Sequence, residues 1–462
     1  MSSWEPWLAE GEQLKYRGIV EAIEADLRAG RILPGDRLPP QRMIAEILGV
    51  DLTTVTRAFN EARRRGLVEA NAGRGTFIRR RMDDGRFLGA SPIPAVDLSM
   101  NIPPQPVAAN LKRLIPETIA TLLNEENGMQ NLHYQESTGS ESDRAAAAVW
   151  LERRIGDVRP ASIVLANGAQ SALFAICECL ASPGDSIAAG FVTYPGLKAV
   201  AQQCGFRLRP LAMDAQGIVP EAFEACCVLD APKLLYVIPA IDNPTTATLS
   251  EERRHEIVEI ARKYDVAIIE DDPYSALQSD PLTPIAALAP DITWHIATLS
   301  KCATPALRIA YVVAPAAAQA ARLAAVIRAV NLMVPPINAA VASRWIATGI
   351  LDDVTVAIRD ENIARQKIAK AALGDAEIAA DKCGSHIWMR MPPHWRATDF
   401  VHHAGRSGIS VVPGSVFAIG ATEPEALRLS LGVAPDRDAL LQALKQLAGL
   451  LSQPSGAAKA IV

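Results

Sequence analysis

The chain has 462 residues, 49% of them apolar and 21% charged, which bounds it to two or three globular domains with a large core. The net charge of −5 gives no sign of a nucleic-acid partner, and no uncharged apolar run reaches the ~18–20 residues that span a bilayer, so no membrane association is expected. Seven scattered cysteines without a C-x-x-C pair exclude a zinc site or disulfide framework, and residues 1–11 lack the apolar core of a secretory signal; the expectation is a cytoplasmic protein with reduced thiols and no metal.

The charge is unevenly spread. Residues 1–81 hold 14 Lys/Arg against 11 Asp/Glu, and within 52–81 there are 8 Arg against 2 Glu. A basic segment on an acidic body suits a DNA-binding module attached to something else. Ile19, Val20, Ile23 and Leu27 stand at helical spacing and predict a helix over 14–30, closed by Gly30 and Pro34-Gly35. Pro39-Pro40 opens a second helix with Met43, Ile44, Ile47 and Leu48 apolar. After the Gly49-Val50-Asp51 turn comes a third, with Asp51 or Thr53 as N-cap and Leu52, Val55, Phe59 and Ala62 on its inner face. A strand begins at Gly66-Leu67-Val68-Glu69, and a glycine-flanked turn around Arg74 precedes Thr76-Phe77-Ile78, which makes the hairpin a wing.

In such a helix-turn-helix the second helix enters the major groove. That assigns Thr53, Thr54 and Arg57 to base edges, Arg42 and Arg63-Arg64-Arg65 to the backbone, and Arg74 to the minor groove. A small protein-interaction domain with merely solvated arginines is the alternative, and the glycine-tipped basic hairpin weighs against it. The run from Leu33 to Arg42, Leu48-Gly49-Val50, Gly66-Leu67-Val68-Glu69 and Gly73-Arg74-Gly75-Thr76-Phe77 resembles the GntR regulator family over about residues 14–80. One departure stands out. That family has Ser-Arg after the Gly-Val turn where this chain has Asp51-Leu52, so Arg57 becomes the expected reader.

Gly85, Gly89, Pro92 and Pro94 mark a linker over 82–97 between a DNA-binding domain at 12–81 and an effector domain at 98–452, with a flexible tail at 453–462. At ~3.3–3.6 Å per residue the linker could span roughly 50 Å. Beyond it, apolar β-type runs at 162–166, 186–189, 234–238, 266–270 and 294–299 alternate with helical patterns, which predicts a mainly parallel sheet covered by helices, an α/β fold.

Lys301 lies among the residues that a lysine forming a Schiff base with pyridoxal 5′-phosphate (PLP) requires. Asp271 ends a strand and can face the ring nitrogen; Tyr274 and Asn243 can donate to the phenolic oxygen; Tyr194 offers a face for the ring. Asn167-Gly168-Ala169-Gln170 opens a helix suited to a phosphate, with Thr298, Ser300 and Arg308 adding donors and charge. Arg308 is also expected to lower the Lys301 pKa.

These residues, with Tyr134 and Gly139, resemble the fold-type I, class I aminotransferases over about residues 95–450. Thr246 stands where that family's Asn-Pro-Thr-Gly motif has its last glycine. The resemblance implies that Tyr134 reaches the phosphate of the other subunit's cofactor. It also implies that Arg428 binds the α-carboxylate of an amino compound, for which a guanidinium fork is suited. The two halves together resemble the MocR group of regulators, which implies a head-to-tail homodimer that binds double-stranded DNA and uses its PLP site as a sensor. Three functions follow: a regulator answering to an amino-compound effector, a regulator sensing PLP itself to control vitamin B6 metabolism, and a working aminotransferase with an accessory DNA-binding domain.

Overall fold

The computed structural model describes residues 15–28, 32, 36–64, 67–71, 75–78, 96–420 and 422–454. Arg65, Arg74, linker positions 82–95 and the tail from 455 lie outside them, as do the side chains of Leu27 and Arg64. The chain divides into two units, Met1–Ile93 and Pro94–Val462.

In the first unit α1 (Lys15–Arg28), α2 (Gln41–Leu48) and α3 (Leu52–Arg64) precede an antiparallel pair, β1 (Val68–Asn71) and β2 (Gly75–Ile78). Ile19, Val20, Ile23, Ile44, Val55, Ala58, Phe59 and Ile78 are each no more than 1% exposed and form its core. Gly49 takes the left-handed conformation at the end of α2 (φ 59°), which turns the chain sharply into α3. The Asp51 carbonyl accepts from the N–H groups of Thr54 and Val55 at 2.9 and 3.3 Å. Asp51 is therefore the N-cap position, and Thr53 lies inside the helix. Three expected core residues are on the surface: Met43, Ile47 and Leu52 are 42–45% exposed. A two-turn helix meets its neighbours along one narrow stripe, filled in α2 by Ile44 and Ala45; Leu52 sits one turn ahead of the buried row of α3.

The second unit is built on a seven-stranded sheet of β3 (Ile163–Ala166), β4 (Ser186–Gly190), β5 (Arg207–Leu211), β6 (Leu234–Val237), β7 (Ala267–Asp272), β8 (Thr293–Thr298) and β9 (Ala310–Val313). The spatial order is β3-β9-β8-β7-β6-β4-β5. All neighbours are parallel except β9, which runs against β8 and β3. The strands β3, β4, β6 and β8 are buried along their whole length, which is why they read as continuous apolar runs rather than alternating ones. Helix α4 (Ala169–Leu180) follows β3 and α5 (Pro195–Cys204) follows β4.

A smaller four-stranded antiparallel sheet contains β10 (Ile378–Ala380), β11 (His386–Arg390), β12 (Val412–Pro413) and β13 (Ala426–Ser430), ordered β10-β11-β13-β12. The 24-residue helix α6 (Ile350–Leu373) joins the two parts: Leu351, Val354 and Ile358 pack in the core of the large sheet, Ala369 and Leu373 in that of the small one. Val96–Asp97, expected within the linker, instead pair in parallel with Ile409–Ser410. Among the described residues no helix is long and apolar enough to cross a membrane.

Candidate cofactor and effector site

The predicted site residues of the second unit converge at the carboxyl ends of the parallel strands, where open α/β sheets bind ligands. Asp271 is the next-to-last residue of β7, Thr298 ends β8, and Lys301 follows three residues later. Asn243 lies beyond β6, Tyr194 beyond β4, and Asn167-Gly168 between β3 and α4.

Lys301 Nζ donates to the main-chain carbonyl of Asn101. Burial pushes its ammonium down to about 8; the charge of Arg428 adds to this and that of Asp271 opposes it. The cation acting on Lys301 is thus Arg428 and not, as expected, Arg308, whose Nη2 instead donates to the Asn167 carbonyl at 2.9 Å. Burial raises the Asp271 carboxyl to about 6, opposed by a 2.8 Å hydrogen bond from the Tyr236 hydroxyl to Oδ2. The other oxygen, Oδ1, is buried without a partner.

Arg428, in β13, is 7% exposed and makes no salt bridge to a carboxylate among the described residues. Its Nη1 donates to Asn243 Oδ1 at 3.1 Å, its Nη2 donates to the Ser99 carbonyl, and its Nε is buried without a partner. The guanidinium carbon lies 4.9 Å from the centre of the Phe417 ring. Asn101 is a hub: besides holding Lys301, its Nδ2 donates to the Tyr274 hydroxyl at 2.7 Å and its Oδ1 accepts from Ser385 at 2.9 Å. Tyr274 therefore keeps its own proton for a ligand. His386 stands beside this pair, its ring 5.5 Å from that of Tyr274 and its Nε2 3.0 Å from the Asp242 carbonyl. Burial, and then Arg428, lowers it to about 3, so it is a neutral imidazole.

On the opposite side, the first turn of α4 has no side-chain cap and starts from Gly168 at φ 81°. A Cβ there would lie 2.7 Å from Arg308 Nη2. Thr298 and Ser300 hydroxyls are 3.0 Å apart. Gln170 Nε2 donates to the Gly196 carbonyl at 3.1 Å, while its Oε1 is buried and unpartnered. Tyr194 is within electrostatic reach of Asp271, Arg308 and Arg428. Tyr134 stands apart from these groups and is 82% exposed.

In the first unit Arg42, Thr53, Arg57 and Arg63 are exposed and Thr54 is half-buried. The Arg57 guanidinium carbon lies 4.5 Å from the centre of the Tyr16 ring. The Thr56 hydroxyl donates to Gln41 Oε1 at 2.9 Å, tying α3 to α2.

Residues 93–447 match the family described as aminotransferase class I and II, and residues 15–78 match the bacterial regulatory proteins of the gntR family. The chain belongs to the class I and II aminotransferase family. This family member is 29% identical over 456 residues to YdeF of Bacillus subtilis, an uncharacterized HTH-type transcriptional regulator, covering 97% of each chain. It is 28% identical to PdxR of Corynebacterium glutamicum, an HTH-type pyridoxine biosynthesis transcriptional regulator, over 90% of this chain and 94% of that one. Pyrococcus horikoshii kynurenine aminotransferase shares the fold, with TM-score 0.71 and 24% identity over 77% of this chain and 90% of that one. With a gntR-type domain ahead of an aminotransferase unit, the chain has the composition of the MocR group of regulators.

The residues of this aminotransferase-family cleft fit pyridoxal phosphate. An orphaned, buried carboxylate oxygen on Asp271 suits a protonated ring nitrogen. An uncapped helix start beside two hydroxyls and Arg308 suits a phosphate. A half-buried lysine held near 8 suits an aldehyde. Sequence reasoning missed Ser99, Asn101, Tyr236, His386 and Phe417. Tyr236 was detectable, since a tyrosine inside a buried strand needs a partner for its hydroxyl. Ser99 acts through its main-chain carbonyl, which side-chain identity does not reveal, and Asn101 meets its partners from far away in the chain, 173 residues before Tyr274 and 284 before Ser385.

Proposed function

We propose that this aminotransferase-family protein is a transcriptional regulator whose operator affinity is set by pyridoxal phosphate at Lys301 and by an amino compound whose carboxylate binds Arg428. The observation that carries this reading is a half-buried lysine with a lowered pKa and a buried, carboxylate-free arginine in one cleft, on a chain that also holds a helix-turn-helix. When bound, the cofactor supplies an electrophilic aldehyde on an electron-withdrawing ring.

The chain's own residues do the rest. Asp271 Oδ1 holds the ring proton, with Tyr236 fixing the carboxylate from behind. Tyr274, already accepting from Asn101, donates toward the ligand. A carboxylate arriving at Arg428 displaces the Ser99 carbonyl, because a charged acceptor outbids a neutral one for a guanidinium. A carbonyl released from Lys301 likewise frees Asn101. Both acceptors belong to the stretch that directly follows linker positions 82–95. Ligand occupancy therefore acts on the segment from which the linker departs, and different affinity for the two arrangements shifts their populations.

The same reading assigns a cytoplasmic protein acting as a head-to-tail homodimer on duplex DNA. The exposed Tyr134 is proposed to complete the phosphate site of the second copy.

The test is fluorescence anisotropy on the gene's own upstream DNA, with and without PLP and individual amino acids, beside visible absorption. Operator affinity that changes with PLP and again with an amino acid, and does neither in Lys301→Ala, supports the proposal. A response to PLP alone makes the cofactor itself the signal, and turnover with a keto acid makes the protein an enzyme. DNA binding indifferent to all ligands overturns it.

A further inference from the structure

The recognition helix α3 begins without the guanidinium or amide side chains that most often read bases, leaving only threonine hydroxyls and one leucine. Its N-terminal outward residues are Leu52, Thr53 and Thr56, all exposed, and none carries a positive charge. The first cation of the helix, Arg57, has its guanidinium over the Tyr16 ring of α1. The Thr56 hydroxyl is taken up by Gln41. The planar, two-pronged donors that recognise guanine or adenine are thus missing from the turn that reaches base edges.

Leu52 is 42% exposed, whereas Val55, Ala58, Phe59 and Ala62 are each 0% exposed and supply the inner face of the helix. The fold does not use Leu52 as a core residue. Asp51, exposed beside it, repels phosphates and so disfavours laying this turn on the backbone. The major groove offers one apolar feature to an apolar side chain, the C5-methyl group of thymine. We propose that Leu52 is a specificity-determining residue that packs on a thymine methyl in the operator. The proposal rests on the DNA-binding reading of the first unit and deepens it by naming what the helix reads.

The test starts from duplexes selected out of a random pool by the full-length, PLP-loaded protein. In the tightest duplex each thymine is replaced in turn by uracil, which removes one methyl group and nothing else. At least one replacement is expected to weaken binding roughly three- to tenfold. Leu52→Ala should bind the thymine and uracil duplexes within about twofold of each other, with unchanged thermal melting and PLP uptake, while Leu52→Met keeps the preference. Uniform tolerance of uracil, or a methyl preference that survives in Leu52→Ala, overturns the assignment to Leu52 and leaves the DNA-binding reading standing. Enrichment of no duplex above the pool overturns that reading, and this one with it.

Discussion

The Arg428 guanidinium donates to the main-chain carbonyl of Ser99, so the cation suited to a ligand's carboxylate is held by the protein's own backbone. The pair is a competition, in which a charged acceptor replaces a neutral one. Removing the cation removes the competition. Arg428→Gln is expected to weaken amino-acid-induced spectral changes about ten- to a hundredfold, the worth of hydrogen bonds to a charged group. PLP uptake itself should persist. Absorption titration checks both, and an unaltered amino-acid affinity would place the carboxylate elsewhere.

Lys301 sets a pH dependence. Its ammonium is lowered to about 8, and the neutral amine is the form that attacks an aldehyde. The rate at which the cofactor-free protein takes up PLP should therefore rise between pH 6 and 9 with a midpoint near 8. Because Arg428 contributes to the lowering, its removal should move that midpoint upward. Stopped-flow absorbance measures this; a flat profile across the range would contradict it.

Tyr236→Phe deletes the hydroxyl that Asp271 Oδ2 accepts. Cofactor affinity should fall about tenfold, read by equilibrium dialysis. A sign follows for stability. Asp271 is raised from 3.8 to about 6 in the folded state, so its contribution is present at low pH and lost as pH rises through about 6. Tyr236 steadies the ionised form, so the melting deficit of the cofactor-free variant should be small at pH 4 and grow by pH 7.5. A deficit independent of pH would mean that the hydroxyl merely packs.

Gly168→Ala places a methyl group 2.7 Å from Arg308 Nη2 at a backbone φ of 81°. The strain costs about 1–3 kcal/mol. It falls on the guanidinium expected at the phosphate. The expected result is at least tenfold weaker PLP binding with little change for pyridoxal, which lacks the phosphate. Equal losses for both would point to general disruption.

Phe59→Ala empties the centre of a first-unit core containing only fifteen buried apolar residues among those described. A loss of about 3–5 kcal/mol is a large share of what a domain this small possesses. DNA binding should disappear at 37 °C while PLP uptake survives. Simultaneous loss of both would show that the units do not fold separately.

The second unit was legible because its chemistry is carried by side chains in fixed order. Strands expected at 186–189 and 234–238 appear as Ser186–Gly190 and Leu234–Val237, since fully buried parallel strands leave unbroken apolar runs. The edge strand Arg207–Leu211 and the reversed strand Ala310–Val313 were not foreseen. The first carries two arginines and a proline among its five residues, and the second sits in alanine-rich sequence that reads equally as helix. At the site, Asp271 and Lys301 announced themselves, whereas the Asn101 hub did not. Periodicity also placed Met43, Ile47 and Leu52 inside: it reports that a residue is apolar, not whether a neighbour exists to cover it.

The reversal of β9 has a consequence for the lysine. β8 and β9 are adjacent and antiparallel, with Thr298 opposite Ala310, so residues 299–309 close a hairpin whose two legs are clamped in one sheet. With β9 also held in register by β3, a residue deleted there would be taken up within the connection itself, moving Lys301 and Arg308 relative to the strands that carry them. The length of this stretch is therefore a dimension of the machine, as fixed as the identity of any residue in it.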